Sequence, residues 1–303
     1  MALSKNNIDG ACEGPLDRMG VSLIGSKVQY TLPVGSHQVD LMPLIGQFIQ
    51  LSYLGYSICQ ACGLALKKSY QQGYCYPATQ RLASCDLCIL KPELCHHHLG
   101  TCREPLWGRQ HCFQPHRVYL ANSSGLKVGI TRASTLPTRW LDQGASQAIS
   151  LLSVSTRRLS GLIEVLLKKH VSDRTAWQQM LKGVPSWEEM CAQRNRLLNL
   201  ISEDLKEIDV KDIQLLEEPP QAFEYPVLEY PTTVKSLSFD KTPEISGRLL
   251  GIKGQYWILE TGVLNIRSFT GYQIRLEAQH PLKIQPILRV YPYAQSPLCG
   301  AAR

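Results

Sequence analysis

Little in this sequence points to repetition, export or disorder. No segment recurs at a fixed period, which excludes solenoids and propellers. Residues 1–25 lack a basic stretch followed by an apolar core, so the expected location is the cytoplasm. Charged residues are only 19% of the chain while hydrophobic ones reach 44%, too apolar for disorder and ordinary for a folded protein. Charge is missing altogether from Leu41 to Leu66, a run long enough to cross a bilayer. Pro43, Gly46, Gln47, Gln50, Gly55 and Gln60 interrupt it, however, and it reads better as two short strands entering a metal-binding turn. No membrane association is expected.

Acid is what the middle of the chain lacks. Between His116 and Leu200, 12 Lys/Arg stand against five Asp/Glu, a surplus equal to the formal net charge of +7 of all 303 residues. A basic focus of this kind favours an anionic partner, with nucleic acid (DNA or RNA) foremost. A solvated helical face rich in lysine is the plainer explanation. No pattern specifies an oligomeric state.

Five regions follow from composition and periodicity. Residues 1–57 are a polar, frayed tail and then β-rich, with strands near 21–30 and 47–54 where apolar residues partly alternate. Residues 58–115 are rich in Cys and His and poor in helical pattern. Residues 116–208 alternate strand and helix. Residues 209–243 hold EEPPQAFEYPVLEYPTT, an extended Pro-rich linker, because each proline fixes φ and removes a donor. Residues 244–303 return to β patterns punctuated by glycines, a small barrel or sandwich completed by the N-terminal strands. The fold class is therefore α+β.

In a reducing compartment clustered thiols bind metal more often than they pair. Eight of the 11 cysteines fall between residues 59 and 112: Cys59, Cys62, Cys75, Cys85, Cys88, Cys95, Cys102 and Cys112. Two CxxC pairs, 59/62 and 85/88, have the spacing at which two thiolates reach one tetrahedral Zn²⁺. One or two structural zinc ions are expected. One arrangement joins Cys59, Cys62, Cys85 and Cys88, leaving Cys95, Cys102, Cys112 and a histidine for a second ion. The other groups Cys59, Cys62 and Cys75, then Cys85, Cys88, Cys95 and Cys102; there Ala78 stands where Cys75 would have a CxxC partner, leaving the first ion a ligand short. Thiol redox or metal sensing is the remaining reading.

Downstream, RVYLANSSGLKVGITR reads as a hairpin, with Asn122-Ser-Ser-Gly125 as turn residues. A short helix through Arg139 follows Pro137, then a strand over 149–155. Leu159, Leu162, Ile163, Leu166 and Leu167 form one helical stripe, with Arg157, Gly161, Glu164 and Lys168 beside it. Gly161, one turn before Glu164, is expected to leave open space beside that carboxylate. Helices are also expected at 177–181 and 187–205.

This order of hairpin, arginine-bearing helix, strand and glutamate-bearing helix resembles the core of the GIY-YIG nuclease superfamily. Arg117-Val-Tyr119 stands in place of the first motif and Lys127-Val-Gly129 in place of the second. Arg117 replaces that family's glycine and Lys127 its tyrosine. The resemblance implies a GIY-YIG-like α/β core behind a zinc-ribbon-like segment, with Tyr119, Lys127, Arg139 and Glu164 as catalytic residues. It also implies Mg²⁺ or Mn²⁺ at Glu164 and phosphodiester cleavage as the activity, or nucleic-acid binding without cleavage. Arg117, Arg132, Arg157, Arg158 and Lys168 are the candidate phosphate contacts. Over most of its length, from about Val21 through GIKGQYWIL, the chain also looks like a bacterial family catalogued as a domain of unknown function (family 2797). That likeness implies a zinc segment fused to the α/β unit and brings no activity.

Overall fold

A computed structural model describes residues 11–208 and 212–293; the polar tail ahead of Ala11 lies outside them. The chain forms two compact units, one made of residues 1–79 with 225–303, the other of residues 80–224.

The charge-free run explains the first unit. Phe48–Ile58 buries Ile49 and Leu51 in alternation and becomes an inner strand of a seven-stranded antiparallel sheet. Tyr272–Ala278 pairs along one side of it and Glu244–Lys253 along the other. N-terminal strands thus complete a C-terminal sheet, which Ala11–Pro15 extends at one end and the hairpin strands Tyr256–Leu259 and Gly262–Asn265 at the other. A second antiparallel sheet of four strands holds Gly20–Ile24, Lys27–Val34, His37–Asp40 and Ile284–Pro286. No helix among the described residues is long and apolar enough to cross a membrane.

In the second unit, helix α1 (Pro105–Cys112) leads into the hairpin β1 (His116–Asn122) and β2 (Leu126–Arg132). Then come α2 (Thr138–Asp142), β3 (Gln147–Val154), α3 (Arg157–Leu167) and α4 (Met190–Leu200). Short β4 (Ile213–Leu215) and β5 (Gln221–Ala222) both pair with β3, giving the antiparallel order β4-β3-β1-β2. The Pro-rich segment is thus extended and partly held in a sheet. Thr156 caps α3 by accepting the Leu159 N–H at 3.2 Å. Ile163 and Leu167 of α3 pack against Val118, Leu120 and Val128, with Met190 and Leu197 of α4 in the same core. Each such fully buried side chain contributes about 1.5–3 kcal/mol. The helix expected over 187–205 begins only at Met190, leaving Trp187 exposed, and breaks at Ile201. The α+β class is the one observed.

Candidate functional site

Alternation along β1 sends Val118 and Leu120 to the α3 side and Tyr119 to the opposite face. There Tyr119 meets the edge of Trp140 at 6.0 Å between ring centres. A register shift in β3 falls between its pairings with Val118 and Tyr119, the kind of bulge that re-aims a side chain. Directly across on β2 is Gly129, and a Cβ there would come within 2.5 Å of the Tyr119 hydroxyl. The missing side chain is the space the ring occupies. The Gln143 amide donates to that hydroxyl at 2.9 Å, and Arg139 of α2 lies beside it. Tyr119 is fully buried, and burial raises its pKa.

Lys127 is 6% exposed and donates from Nζ to the Thr175 hydroxyl at 3.1 Å. Burial, helped by Arg139, lowers its pKa to about 8, against the pull of Asp173 and Glu164. Glu164 sits half-buried on α3, its pKa raised by burial and held back by Lys168. The Lys168 ammonium lies 3.5 Å from Glu164 and 2.9 Å from Asp173. Tyr119, Lys127, Arg139 and Glu164 therefore come from four different elements into one electrostatic neighbourhood. Gln143, Asp173 and Thr175 join them, and no sequence motif had marked these three.

The space expected beside Glu164 is absent. A Cβ on Gly161 would lie 2.7 Å from both the Glu93 nitrogen and the Pro92 Cβ. Gly161 is bare so that the cysteine-rich segment can pack directly on α3. The basic residues divide accordingly. Arg157 turns inward, donating to the Ile89 carbonyl at 2.6 Å, while Arg158 is exposed. Arg117 pairs with Glu218 at 3.1 Å, Arg132 is half-buried, and Lys168 is exposed and tied to the two acids.

In the first unit the sulfurs of Cys59, Cys62 and Cys75 all lie within 4.8 Å of one another, a group that could hold a metal ion. The turn is built for it. The Gly63 N–H donates to the Cys59 carbonyl at 2.9 Å, with Gly63 at φ 74°, where glycine is at ease. Burial disfavours the Cys59 thiolate, but N–H groups of Cys62, Cys75 and Ala61 point at the sulfur and lower its pKa overall. The Cys75 N–H reaches it at 3.3 Å.

In the second unit Cys88, Cys95, Cys102 and Cys112 line one small cavity together with Asp86, His96 and His97. Asp86, Cys88 and His96 offer ligand atoms within 4.8 Å of one another. Cys88 is therefore grouped with Cys112, a combination neither sequence arrangement contained, and Cys85 is not in the lining.

No curated protein and no solved structure matches the chain. One family model, described as "Protein of unknown function (DUF2797)", matches residues 46–274, a span that takes in both the cysteine groups and the Tyr119–Glu164 neighbourhood. The chain belongs to that family.

Proposed function

We propose that residues 116–208 form a GIY-YIG-like domain that binds DNA or RNA and cleaves its phosphodiester backbone, in a protein stabilised by structural zinc. The observation that carries this reading is the convergence of Tyr119, Lys127, Arg139 and Glu164 from four separate elements. Phosphodiester cleavage needs a fixed cation facing the developing phosphorane charge, a proton acceptor and a carboxylate. Arg139 is the cation, positioned by the buried Tyr119. Lys127, with its pKa near 8, exchanges protons at working pH better than a buried phenol whose pKa is raised. Glu164 would hold Mg²⁺ or Mn²⁺, whose positive charge would polarise the phosphoryl group when bound. Its oxygen donors, with Asp173 on the same ammonium, suit a hard cation. The thiol group of Cys59, Cys62 and Cys75 suits zinc in a structural role.

A second reading, binding without cleavage, is favoured by Lys168, which already places a positive charge against Glu164. Purified protein with single- and double-stranded DNA and RNA separates the two. Cleavage dependent on Mg²⁺ or Mn²⁺ and lost in Arg139→Ala and Glu164→Gln supports the enzyme. Affinity that falls steeply with salt and no cleavage supports the binder. Intact substrates with salt-independent or absent binding would refute both.

A further inference from the structure

We propose that Cys88, Cys95, Cys102 and Cys112 together hold one Zn²⁺, and that the half-buried Arg157 is the cation that offsets the charge of this four-thiolate centre. The inference does not depend on the nucleic-acid reading, since it concerns only what holds the cysteine-rich segment against α3.

Three features of the second unit support it. The first is space. The four cysteines line a cavity of about 20 Å³, close to the room one water or one ion needs and far too small for an organic ligand. The cavity is kept clear by design of the sequence: a Cβ on Gly108 would lie 3.2 Å from the Cys102 sulfur and 3.1 Å from the His97 ring. Gly108 and Cys112 are one turn apart on α1, so a bare position sits beside a ligand position on the same helix face.

The second feature is the state of the neighbouring groups. Asp86, Cys88 and His96 are the ligand atoms of this lining that come within 4.8 Å of one another, yet Asp86 is already engaged. One oxygen accepts the Cys88 N–H at 3.2 Å, capping the turn that carries Cys88. The other takes the Arg103 Nε at 2.7 Å. His96 Nδ1 is 2.8 Å from the Thr101 hydroxyl. Asp86 and His96 therefore position the loop, and the sulfurs remain as the softer donors that zinc prefers.

The third feature is Arg157. A half-buried guanidinium calls for a partner of opposite charge. Its Nη2 donates to the Ile89 carbonyl, but its Nε is buried without a hydrogen-bond acceptor. Burial disfavours its charge, and ionised Cys112 and Cys88 are the groups that would act against that. Neutral thiols would offer that guanidinium no negative charge. Four thiolates around one divalent ion carry a net double negative charge, and Arg157, with Arg132 acting on Cys112 from further along, meets it. The metal makes the anionic cluster that Arg157 is placed to face. Because Arg157 opens α3 and Glu164 lies two turns further along, this centre fixes the helix that carries the candidate carboxylate.

The test uses the full-length protein purified with zinc. Metal analysis is expected to give two equivalents per chain, falling by one in Cys102→Ser and Cys112→Ser and unchanged in Asp86→Asn and His96→Gln. Arg157→Met is expected to weaken zinc retention against a competing chelator about 10- to 100-fold, as loss of an outer-shell partner does. X-ray absorption on the wild-type protein needs no variant to fold, and should give an average of about 3.5–4 sulfurs per zinc at about 2.3 Å. An average of about 2–2.5 sulfurs would place the second ion on Asp86, Cys88 and His96 and overturn the assignment. A single equivalent of zinc in the wild type, or loss of an equivalent in His96→Gln with none lost in Cys112→Ser, would overturn it too.

Discussion

Gly129→Ala is the substitution that most sharply tests how the candidate site is built. An added Cβ would stand 2.5 Å from the Tyr119 hydroxyl oxygen, 2.6 Å from Cζ and 2.9 Å from Cε2. Carbon atoms rest at about 3.5–4.0 Å, so the ring must retreat by about 1 Å. It has nowhere to go: Tyr119 is 0% exposed, with Trp140 packed against it and the Gln143 amide bonded to its hydroxyl. Overpacking of this kind costs about 1–3 kcal/mol, and losing the Gln143 bond adds about 1 kcal/mol, for about 2–4 kcal/mol in all. For a unit of this size that is a fall of about 4–16 °C in Tm. Urea and thermal unfolding followed by circular dichroism, at saturating metal, measure it. The strict form is a double-mutant cycle with Tyr119→Leu, which removes the atoms the Cβ would strike. In that background the cost of Gly129→Ala should fall below about 1 kcal/mol. An equal cost in both backgrounds, or a neutral Gly129→Ala, refutes the reasoning.

Three further outcomes follow from the same structure. Gly161→Ala sets helix propensity, which favours alanine by about 1 kcal/mol, against a 2.7 Å approach to Pro92 and Glu93. Packing should win and the variant should lose about 1–2 kcal/mol; a higher Tm would contradict the close packing. Burial lowers the Lys127 pKa from 10.5 to about 8, so between those values the unfolded chain binds more protons and stability rises with pH. Below pH 8 the lysine is charged in both states and the burial cost is present in full. Lys127→Met should therefore be more stable than wild type at pH 7.5, by up to about 3 kcal/mol, and lack that rise; urea unfolding at pH 7.5, 8.5 and 9.5 checks this. An identical pH profile for the two proteins would count against it. Finally, stripping bound metal with a strong chelator should lower the unfolding temperature markedly, since structural zinc contributes on the order of 10 kcal/mol. An unchanged melting curve after complete removal would sink the structural role.

The elements of residues 116–167 were legible because their signals are local. Turn residues 122–125, Thr156 as a cap and the Leu159–Leu167 stripe each act within a few residues, and the strands and helices fall where those signals put them. The grouping of cysteines was not legible, since spacing along the chain says little about which thiols a loop brings together. Cys112 reaches the second cavity from a helix that Pro105 starts, and Asp86 turns Cys88 toward it through a backbone bond. Gly161 misled for the same reason: a bare helix position reads as open space until the segment that fills it is placed. Asp173 and Thr175 carry no motif, and only the return of the chain past Lys127 and Lys168 brings them near.

The strand at Phe48–Ile58 has a consequence for how the chain is made. Its two long partners, Glu244–Lys253 and Tyr272–Ala278, lie roughly two hundred residues or more later in the sequence. At about 5–20 residues per second a ribosome needs roughly 10–40 s to deliver them. During that interval the strand lacks both long neighbours, and only Ala65–Leu66 is at hand to pair with its end. Residues 80–224, a compact unit of their own, are delivered in full before either partner strand. The interval is when a chaperone, or a second nascent copy pairing out of turn, would meet this protein.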